Sequence, residues 1–314
     1  MASLIAPLNH SPHEDAEYLQ KAVKGWGTDE NSIITILGRR SCSQRQEIRK
    51  AYEQKFQEDL IQRIQSEISG DFERALSRWI LEAADRNAVI ANEAIKKGKD
   101  YQVIVEVASV NSPEQVLAMR RAYHNRYKHS LEEDVASQTS SHLRHLLVGL
   151  VSSYRYDGNE INESLAKSEA DILHEAIKNK NGDMEEAIRI LCTRSKTQLL
   201  ATFNKYRELH GTSITKKLLN EASNDLEKAL HTTIRCINDP MKYYEKVLRK
   251  AMLGMGTDED DVTRVIVTRA EIDLKHIKDL YYNKNSSNLD DDVAKETSGD
   301  YLNFLLALLG KQDQ

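Results

Sequence analysis

Two stretches of this sequence combine a glycine-rich loop with an acidic residue at a fixed distance. Residues 25–30 read Gly-Trp-Gly-Thr-Asp-Glu and residues 254–259 read Gly-Met-Gly-Thr-Asp-Glu; we call them the first loop and the fourth loop. Glu67 follows Gly27 by 40 residues, and Glu296 follows Gly256 by the same 40. Because glycine adopts backbone conformations that other residues avoid, such a loop can turn several carbonyl oxygens toward one point. Carbonyl oxygens with one bidentate carboxylate suit calcium, so the pattern predicts two calcium sites, each with positions left open for water or a partner's oxygen.

A tight turn before a capped helix is the simpler interpretation of either loop taken alone. The recurrence of the loop together with its distant acid favours calcium instead. The first loop is not a dinucleotide-binding fingerprint, because Glu30 replaces the third glycine and no strand precedes it. The acidic run from Asp258 to Asp261 lacks the glycine that an EF-hand needs at its sixth position, and it is typical of the first turn of a helix.

The sequence repeats itself four times in a register of about 70 residues. Shifts of 71, 154 and 229 positions carry Tyr52 onto Tyr123, Tyr206 and Tyr281. Within a copy, apolar residues recur at helical spacing, and no stretch keeps the two-residue alternation of a strand. We therefore predict an all-α protein of four repeats with about five short helices each. The predicted repeats span 13–81, 85–152, 167–237 and 240–310, with a polar linker at 153–166.

Several residues predict where helices begin and end. Thr28 and Thr257 are predicted N-caps, because acids fill the turn that follows them. Ser112 before Pro113 has the pattern of an N-cap followed by proline at the first helical position. Trp79 falls on an apolar helical face and is predicted to be a core residue. Arginines recur where a helix of the copy should end, and we expect them to bond terminal carbonyls: Arg40, Arg194 and Arg269.

The four copies are unequal at the positions of the loop and the acid. The second copy has Lys96-Lys97-Gly98-Lys99 in place of the loop and Gln138 in place of the acid. The third copy has an altered loop at residues 179–182 but keeps an acid, Glu221. We expect intact calcium sites only in the first and fourth copies, and without its glycines Glu221 is interpreted as a helix-terminus residue.

Composition excludes several classes of function. A net charge of −5 argues against a protein held on nucleic acid by general electrostatics, and against direct attraction to an anionic membrane unless bound calcium reverses the charge locally. The three cysteines, Cys42, Cys192 and Cys236, form no C-x-x-C pair, so a reducing cytosolic environment is expected. No signal-peptide pattern or membrane-spanning apolar run is found. The histidines grouped in the second copy match no metal-binding spacing and are interpreted as solvated: His124, His129, His142 and His145.

The fourfold repeat, the two G-x-G-T-D loops and the acids 40 residues later resemble the annexin family over nearly the whole chain. Arg-Tyr-Asp-Gly at residues 155–158 and Ser-Leu-Glu-Glu-Asp-Val at residues 130–135 are similar to plant members. The resemblance implies a slightly curved disc of four five-helix repeats. It also implies calcium loops on the convex face that bind anionic phospholipid membranes through shared calcium ions.

The resemblance also implies a ligand set for each site, carried over position by position. The first site would use the carboxylate of Glu67 with the carbonyls of Val23, Gly25 and Gly27. The fourth site would use the carboxylate of Glu296 with the carbonyls of Met252, Gly254 and Gly256, and Thr297 would serve a minor neighbouring site. Trp26 and Met255, at the loop tips, are expected to contact the headgroup region, where tryptophan is favoured.

An enzyme is the competing interpretation, and three departures from the family count against it. Arg39 stands where some plant annexins carry a histidine linked to a peroxidase-like activity. Ser109 stands where plant members often carry a cysteine, which redox proposals pair with the one matching Cys236. A nucleotide-binding P-loop is absent from the sequence. We therefore expect a binding protein rather than a redox or nucleotide-hydrolysing enzyme, cytoplasmic and peripheral at membranes when calcium rises.

Three further properties stay open at this point. Charged residues such as Glu93 and Arg120 could line an ion-conducting channel or be structural. Residues 188–190, Ile-Arg-Ile, resemble a short motif proposed for actin contact in the family, on a face predicted to be buried. Oligomers on the membrane are also left open by the sequence.

Overall fold

Helices make up most of the described part of the chain. The computed structural model describes residues 1–24, 27–98, 100–152, 154–178, 183–221, 224–254 and 256–311, with the backbone alone for residues 220–221. Within these ranges there are twenty α-helices and no strand, which confirms the all-α prediction. None of the described helices combines the length and apolar character needed to cross a membrane.

Five helices follow one another in each quarter of the chain. The first quarter contains α1 (Pro12–Ala22), α2 (Glu30–Leu37), α3 (Cys42–Phe56), α4 (Leu60–Glu67) and α5 (Gly70–Ile80). The second contains α6 (Ala83–Lys97), α7 (Tyr101–Val110), α8 (Pro113–Tyr127), α9 (Leu131–Gln138) and α10 (Ser141–Val151). The third contains α11 (Glu163–Lys178), α12 (Met184–Thr193), α13 (Lys196–His210), α14 (Ile214–Glu221) and α15 (Asp225–Asn238). The fourth contains α16 (Pro240–Met252), α17 (Glu259–Arg269), α18 (Leu274–Asn285), α19 (Leu289–Glu296) and α20 (Gly299–Leu308).

The helices assemble into two compact units. The outer unit consists of Met1–Ala83 and Met241–Gln314, and the inner unit of Ala84–Pro240. The outer unit therefore joins the first and fourth repeats, which carry the two predicted calcium sites. The inner unit joins the second and third repeats.

One tyrosine occupies the same place in the third helix of every repeat. Tyr52, Tyr123, Tyr206 and Tyr281 are all fully buried. A buried phenol must find a hydrogen-bond partner, and these four do so in two ways, on the first helix of the repeat in repeats one and three and on the fourth helix in repeats two and four. Their partners are Gln20, Asp134 at 2.6 Å, His174 at 3.2 Å and Asp292 at 2.9 Å, respectively. The repeat thus conserves the apolar body of the side chain while its polar end adapts to local partners.

The recurring arginines form ion pairs, so the prediction that they bond terminal carbonyls is wrong. Arg40 binds Asp15 of α1 through two hydrogen bonds of 2.7 and 2.8 Å. Arg194 binds Glu169 of α11, the equivalent acid of the third repeat, at 2.6 Å. A buried carboxylate needs a positively charged partner. Each arginine therefore pairs with such a carboxylate instead of donating to the last carbonyls of its helix. Sequence spacing did not reveal the pair because its partner lies on another helix.

In the fourth repeat the equivalent arginine, Arg269, has different partners. Tyr244 stands where the first and third repeats have their acid, and the guanidinium of Arg269 lies 4.8 Å from its ring centroid. The carboxylate comes instead from Asp273, with hydrogen bonds of 2.8 and 2.6 Å.

The N-cap of α8 is the predicted residue, whereas the N-caps of α2 and α17 are not. Ser112 caps α8 through a full capping box, and Pro113 is the first helical residue, as predicted. The caps of α2 and α17 are the aspartates Asp29 and Asp258, not the threonines that precede them. Each aspartate accepts a 3.0 Å hydrogen bond from the backbone N–H three residues on. At Asp29 this bond, together with one from the hydroxyl of Ser32, holds the pKa of the carboxyl below its usual range. The threonines are thereby left free for another role.

Trp79 lies in the core of the outer unit, as its position on an apolar face predicted. Its ring is fully buried, and its Nε1 donates a 2.8 Å hydrogen bond to the carbonyl of Leu37. The guanidinium of Arg45 lies 3.6 Å from the ring centroid and also donates to Glu271. The guanidinium thus contacts the indole through a cation–π interaction and also reaches Glu271 of the fourth repeat, within the outer unit.

Candidate calcium sites

The described parts of the first and fourth loops share two backbone features. Each loop is closed by a 2.9 Å hydrogen bond, from the N–H of Asp29 to the carbonyl of Ala22 and from the N–H of Asp258 to the carbonyl of Ala251. Gly27 and Gly256, the second glycine of each loop, have φ of +93° and +89°. A Cβ would meet nothing within 4 Å at either glycine, so left-handed backbone, not lack of space, requires the residue.

Three predicted site residues lie outside the described residues. These are Gly25, Trp26 and Met255, at the tips of the loops. Their roles as calcium ligand and membrane contacts therefore stay predictions. The described flanks are Val23 and Met252, both with buried side chains, so only their backbone oxygens are suited to act as ligands.

Both predicted acids occupy the last position of a short helix. Glu67 ends α4 and Glu296 ends α19. A carboxylate at a helix C-terminus is opposed by the helix dipole, so neither acid is placed to stabilise its helix. Such a position gains from a nearby cation. Glu221 likewise ends α14. A carboxylate at this end does not stabilise the helix, so the interpretation of Glu221 as a helix-terminus residue stays a prediction.

In the first repeat the loop and the acid meet through an arginine. The Nη2 atom of Arg63 donates to the carbonyl oxygen of Val23 at 2.5 Å and pairs with Oε1 of Glu67 at 2.9 Å. Two predicted ligand atoms thus lie within reach of one positively charged atom, and a cation fits between them. Sequence reasoning missed Arg63, although it stands one helical turn before the acid.

In the fourth repeat the loop and the acid meet through a hydroxyl. Thr257 Oγ1 donates a 2.8 Å hydrogen bond to Oε2 of Glu296. The threonine that is not needed as an N-cap therefore holds the carboxylate against its loop. Thr297, the predicted minor ligand, donates its hydroxyl to the carbonyl of Val293 at 2.7 Å.

The two acids line one acidic cavity of the outer unit, with a volume of about 440 Å³. Six carboxylates surround it in matched pairs from the first and fourth repeats: Glu30 and Glu259, Glu67 and Glu296, Asp71 and Asp300. Asp71 is also paired with Arg74 at 3.1 Å. The four acids beyond Glu67 and Glu296 were not predicted, although they recur at the same shift of 229 positions. Carboxylates grouped in a concave surface concentrate cations.

Two histidines of the second repeat share one carboxylate. His142 and His145 both approach Glu185, at 3.4 and 2.6 Å, from half-exposed positions. Across the described ranges no group of three His, Cys, Asp or Glu side chains is arranged to hold a metal ion. The candidate calcium sites are of another kind, because each would use a single carboxylate with backbone carbonyls.

Comparison with known proteins assigns the family. The model of the annexin family matches residues 14–79, 86–150, 168–232 and 243–308. The chain is 63% identical over 314 residues to annexin-like protein RJ4 of Fragaria ananassa, covering all of both chains. It is 49% identical to annexin D7 of Arabidopsis thaliana, covering 99% of each. The resemblance to plant annexins is thereby confirmed.

Solved structures agree with this assignment. The fold is similar to annexin III, with a TM-score of 0.93 and 32% identity over 99% of this chain and 98% of that one. It is also similar to calcium-bound annexin (Sm)1, with a TM-score of 0.87 and 28% identity over 100% of this chain and 94% of that one. The chain belongs to the annexin family, which is known for calcium-dependent binding to phospholipid.

Proposed function

We propose that this protein binds anionic phospholipid membranes reversibly, through calcium ions held by the loops of the first and fourth repeats. The first site would use the carbonyls of Val23, Gly25 and Gly27 with Glu67. The fourth would use those of Met252, Gly254 and Gly256 with Glu296, and Thr297 would serve a minor site. The observation that carries the proposal is that Val23 and Glu67, far apart in sequence, both contact one cationic atom.

The ligand set predicts weak calcium binding in solution. One carboxylate and a few carbonyls leave several of the 6–8 positions of calcium to water. A lipid phosphate that fills such a position binds only the calcium-loaded protein, so lipid and calcium raise each other's apparent affinity. The acidic cavity adds the other half of the mechanism. Without calcium its carboxylates repel an anionic surface, and with calcium that repulsion is reduced.

A sedimentation experiment tests this proposal. We expect the protein to pellet with anionic vesicles in calcium and to return to the supernatant with chelator. Glu67→Gln and Glu296→Gln should each raise the calcium concentration for half-maximal binding on the order of tenfold, the equivalent of about 1.4 kcal/mol. Glu221→Gln is the matched control, because its repeat lacks the glycines, and should change this concentration much less. Equal pelleting in calcium and in chelator would refute the proposal, and a largest effect from Glu221→Gln would refute the choice of sites.

The redox alternative finds little support in the thiols. Cys192 and Cys236 are buried, and burial raises the pKa of Cys192 to about 12, so its thiol stays protonated and unreactive near neutral pH.

The structure also gives little support to contact with actin through residues 188–190. Ile188 and Ile190 are buried, and Arg189 is bound to Glu186 on its own helix. Arg120 is paired with Glu132 within the inner unit and donates to the carbonyl of Ser152, which favours a structural role over a channel.

A further inference from the structure

Arg63 occupies the place that the first calcium ion would take. Its Nη2 lies 2.5 Å from the Val23 carbonyl oxygen and 2.9 Å from Glu67 Oε1, and both oxygens are ligands in the proposed function. Calcium binds protein oxygens at 2.3–2.6 Å. One positively charged nitrogen atom therefore sits between the same two oxygens, at distances close to those of the ion.

Arg63 reaches Glu67 along its own helix, but one of its hydrogen-bond donors has no partner among the described residues. Arg63 and Glu67 are one turn apart on α4, so the guanidinium needs no other element to reach the carboxylate. Both side chains are mostly removed from solvent, with exposures of 30% and 24%. The Nε atom of Arg63 is buried and has no hydrogen-bond partner among the described residues. An unpaired buried donor costs free energy, so the arginine can be displaced when a better cation arrives.

The other repeats carry different residues at this position. The shifts that relate the repeats carry Arg63 onto Asp134, Lys217 and Asp292. Asp292 of the fourth repeat accepts a hydrogen bond from Tyr281 and pairs with Lys295 at 3.0 Å. Glu296 of the fourth site is instead held by the neutral hydroxyl of Thr257. The two calcium sites thus share a loop and an acid but differ in the group that contacts the acid.

We infer that Arg63 is a built-in cation that closes the first calcium site, and that calcium must displace it to bind. The inference rests on the proposed function, since it assigns a regulator to one of its two sites. The first site then fills at higher calcium than the fourth, although their loop sequences are nearly the same. The pair acts as a two-stage sensor, in which the second stage opens only when Arg63 is released.

A calcium titration by calorimetry, without lipid, tests this inference. The parent protein carries Glu296→Gln, which weakens the fourth site and leaves the first site to be measured. Adding Arg63→Met keeps the length of the side chain and removes its charge. We expect the dissociation constant for calcium to fall by about three- to tenfold, because a tethered competitor acts at high effective concentration. The rise in melting temperature on adding calcium should increase in parallel.

Arg49→Met in the same parent is the matched control. Arg49 lies on α3, is 27% exposed and pairs with Asp59 at 3.3 Å, so the substitution removes the same charge without touching the site. An equal gain from both substitutions would mean that net charge alone is responsible, which overturns the inference. Unchanged or weaker calcium binding in Arg63→Met would also overturn it, since Arg63 would then position the ligands. Arg63→Gln repeats the test with a polar side chain if Arg63→Met does not fold.

The design separates failure of the inference from failure of the proposed function. If the parent binds calcium and Arg63→Met binds it no more tightly, only the role of Arg63 falls. If neither the parent nor the variant binds calcium at the first site, that site is absent and both proposals fall there.

Discussion

Each acid of the two proposed calcium sites stands where a carboxylate is costly. Glu67 and Glu296 end their helices, where the dipole favours cations, and both face a cavity lined by four more acids. A residue chosen for stability would not be acidic at this point. The two repeats offset this unfavourable electrostatic environment differently. The guanidinium of Arg63 contacts Glu67, and the hydroxyl of Thr257 contacts Glu296. Placement against the local electrostatics is therefore the clearest residue-level sign of a binding function.

The two tryptophans give a prediction at the same scale. Trp79 is fully buried, bonded to the carbonyl of Leu37 and covered by the guanidinium of Arg45. Its fluorescence emission should therefore not respond to membranes. Any calcium- and lipid-dependent shift of emission to shorter wavelength should come from Trp26 at the tip of the first loop. Trp26→Ala should abolish that shift and weaken membrane attachment by a few-fold at most, because the ring adds apolar contact without binding calcium. Fluorescence spectra with anionic vesicles provide the measurement.

Calcium without vesicles is the control for the Trp26 experiment. It should shift the emission little, because carbonyl oxygens and not the indole bind the ion. A variant spectrum that keeps the whole lipid-dependent shift would show that Trp26 does not reach the membrane.

Sequence alone could predict which residue types form the sites but not how they touch. The loops and acids recur, so comparison of the repeats was enough to find them. Arg63 could not be recognised because it occurs once, and its importance lies in reaching two oxygens at the same time. Thr257 was assigned to helix capping because threonine and aspartate both cap helices, and only the structure shows that Asp258 takes that role.

At the level of the helix, the third repeat differs from the others around its core tyrosine. His174 of α11 bonds Tyr206, and His210 of α13 stacks on His174 with ring centroids 3.8 Å apart. His210 Nε2 also lies 3.3 Å from Asp171. In the first repeat the equivalent positions hold Gln20 and Phe56, which carry no titratable group. The third repeat alone joins its first and third helices through a pair of stacked imidazoles.

This pair predicts a pH-dependent stability. Burial lowers the pKa of His174 below its ordinary 6.5, and the neighbouring His210 adds to the effect. The unfolded chain then binds the proton more readily than the folded chain, so stability is lost as the pH falls below about 6.5. We expect His174→Gln, which introduces the residue found at position 20, to reduce the loss of stability between pH 7.5 and 5.5. Denaturant unfolding curves at several pH values provide the measurement.

His276→Gln is the comparison for this experiment, because His276 is exposed on α18. It should leave the pH dependence as it is in the natural protein. If the two substitutions have the same effect, the stacked pair is not its source.

Helices and their number could be predicted from periodicity, whereas the ion pairs that join them could not. Apolar spacing is a local property, and each run of it gave one helix. The partner of Arg40 is Asp15 on another helix, 25 residues away, and no local pattern connects them. The repeat boundaries at 13–81, 85–152, 167–237 and 240–310 remain our proposal, although α11 already begins at Glu163, within the linker predicted at 153–166.

At the scale of the whole molecule, the division into two units separates the repeats that carry the proposed calcium sites from those that do not. Both proposed calcium sites belong to the outer unit, and the altered loops of the second and third repeats belong to the inner one. Four copies of one repeat in a row gave no reason to expect that the first would pack with the fourth. That pairing depends on contacts such as Arg45 with Glu271 and Arg78 with Asp260, which join residues about 200 positions apart.

The same division predicts an order of refolding. The inner unit is continuous in sequence, while the outer unit must close a loop that contains all of it. Closing that loop costs less entropy once the inner unit has folded and shortened it. In pulsed hydrogen exchange during refolding, we expect amides of α8 and α13 to be protected before those of α3 and α18. Protection of α3 as early as α8 would contradict this order.

Ribosomal synthesis gives the interrupted outer unit a further consequence. The first loop and Glu67 leave the ribosome before the inner unit, yet the repeat that completes their unit is made after it. At about 5–20 residues per second, residues 241–314 of the outer unit take roughly 4–15 s to be synthesised. During that interval a nascent chain holds a finished inner unit and an unpartnered first repeat. The proposed ability to bind calcium at both loops is therefore acquired only after the fourth repeat has been synthesised and has packed against the first.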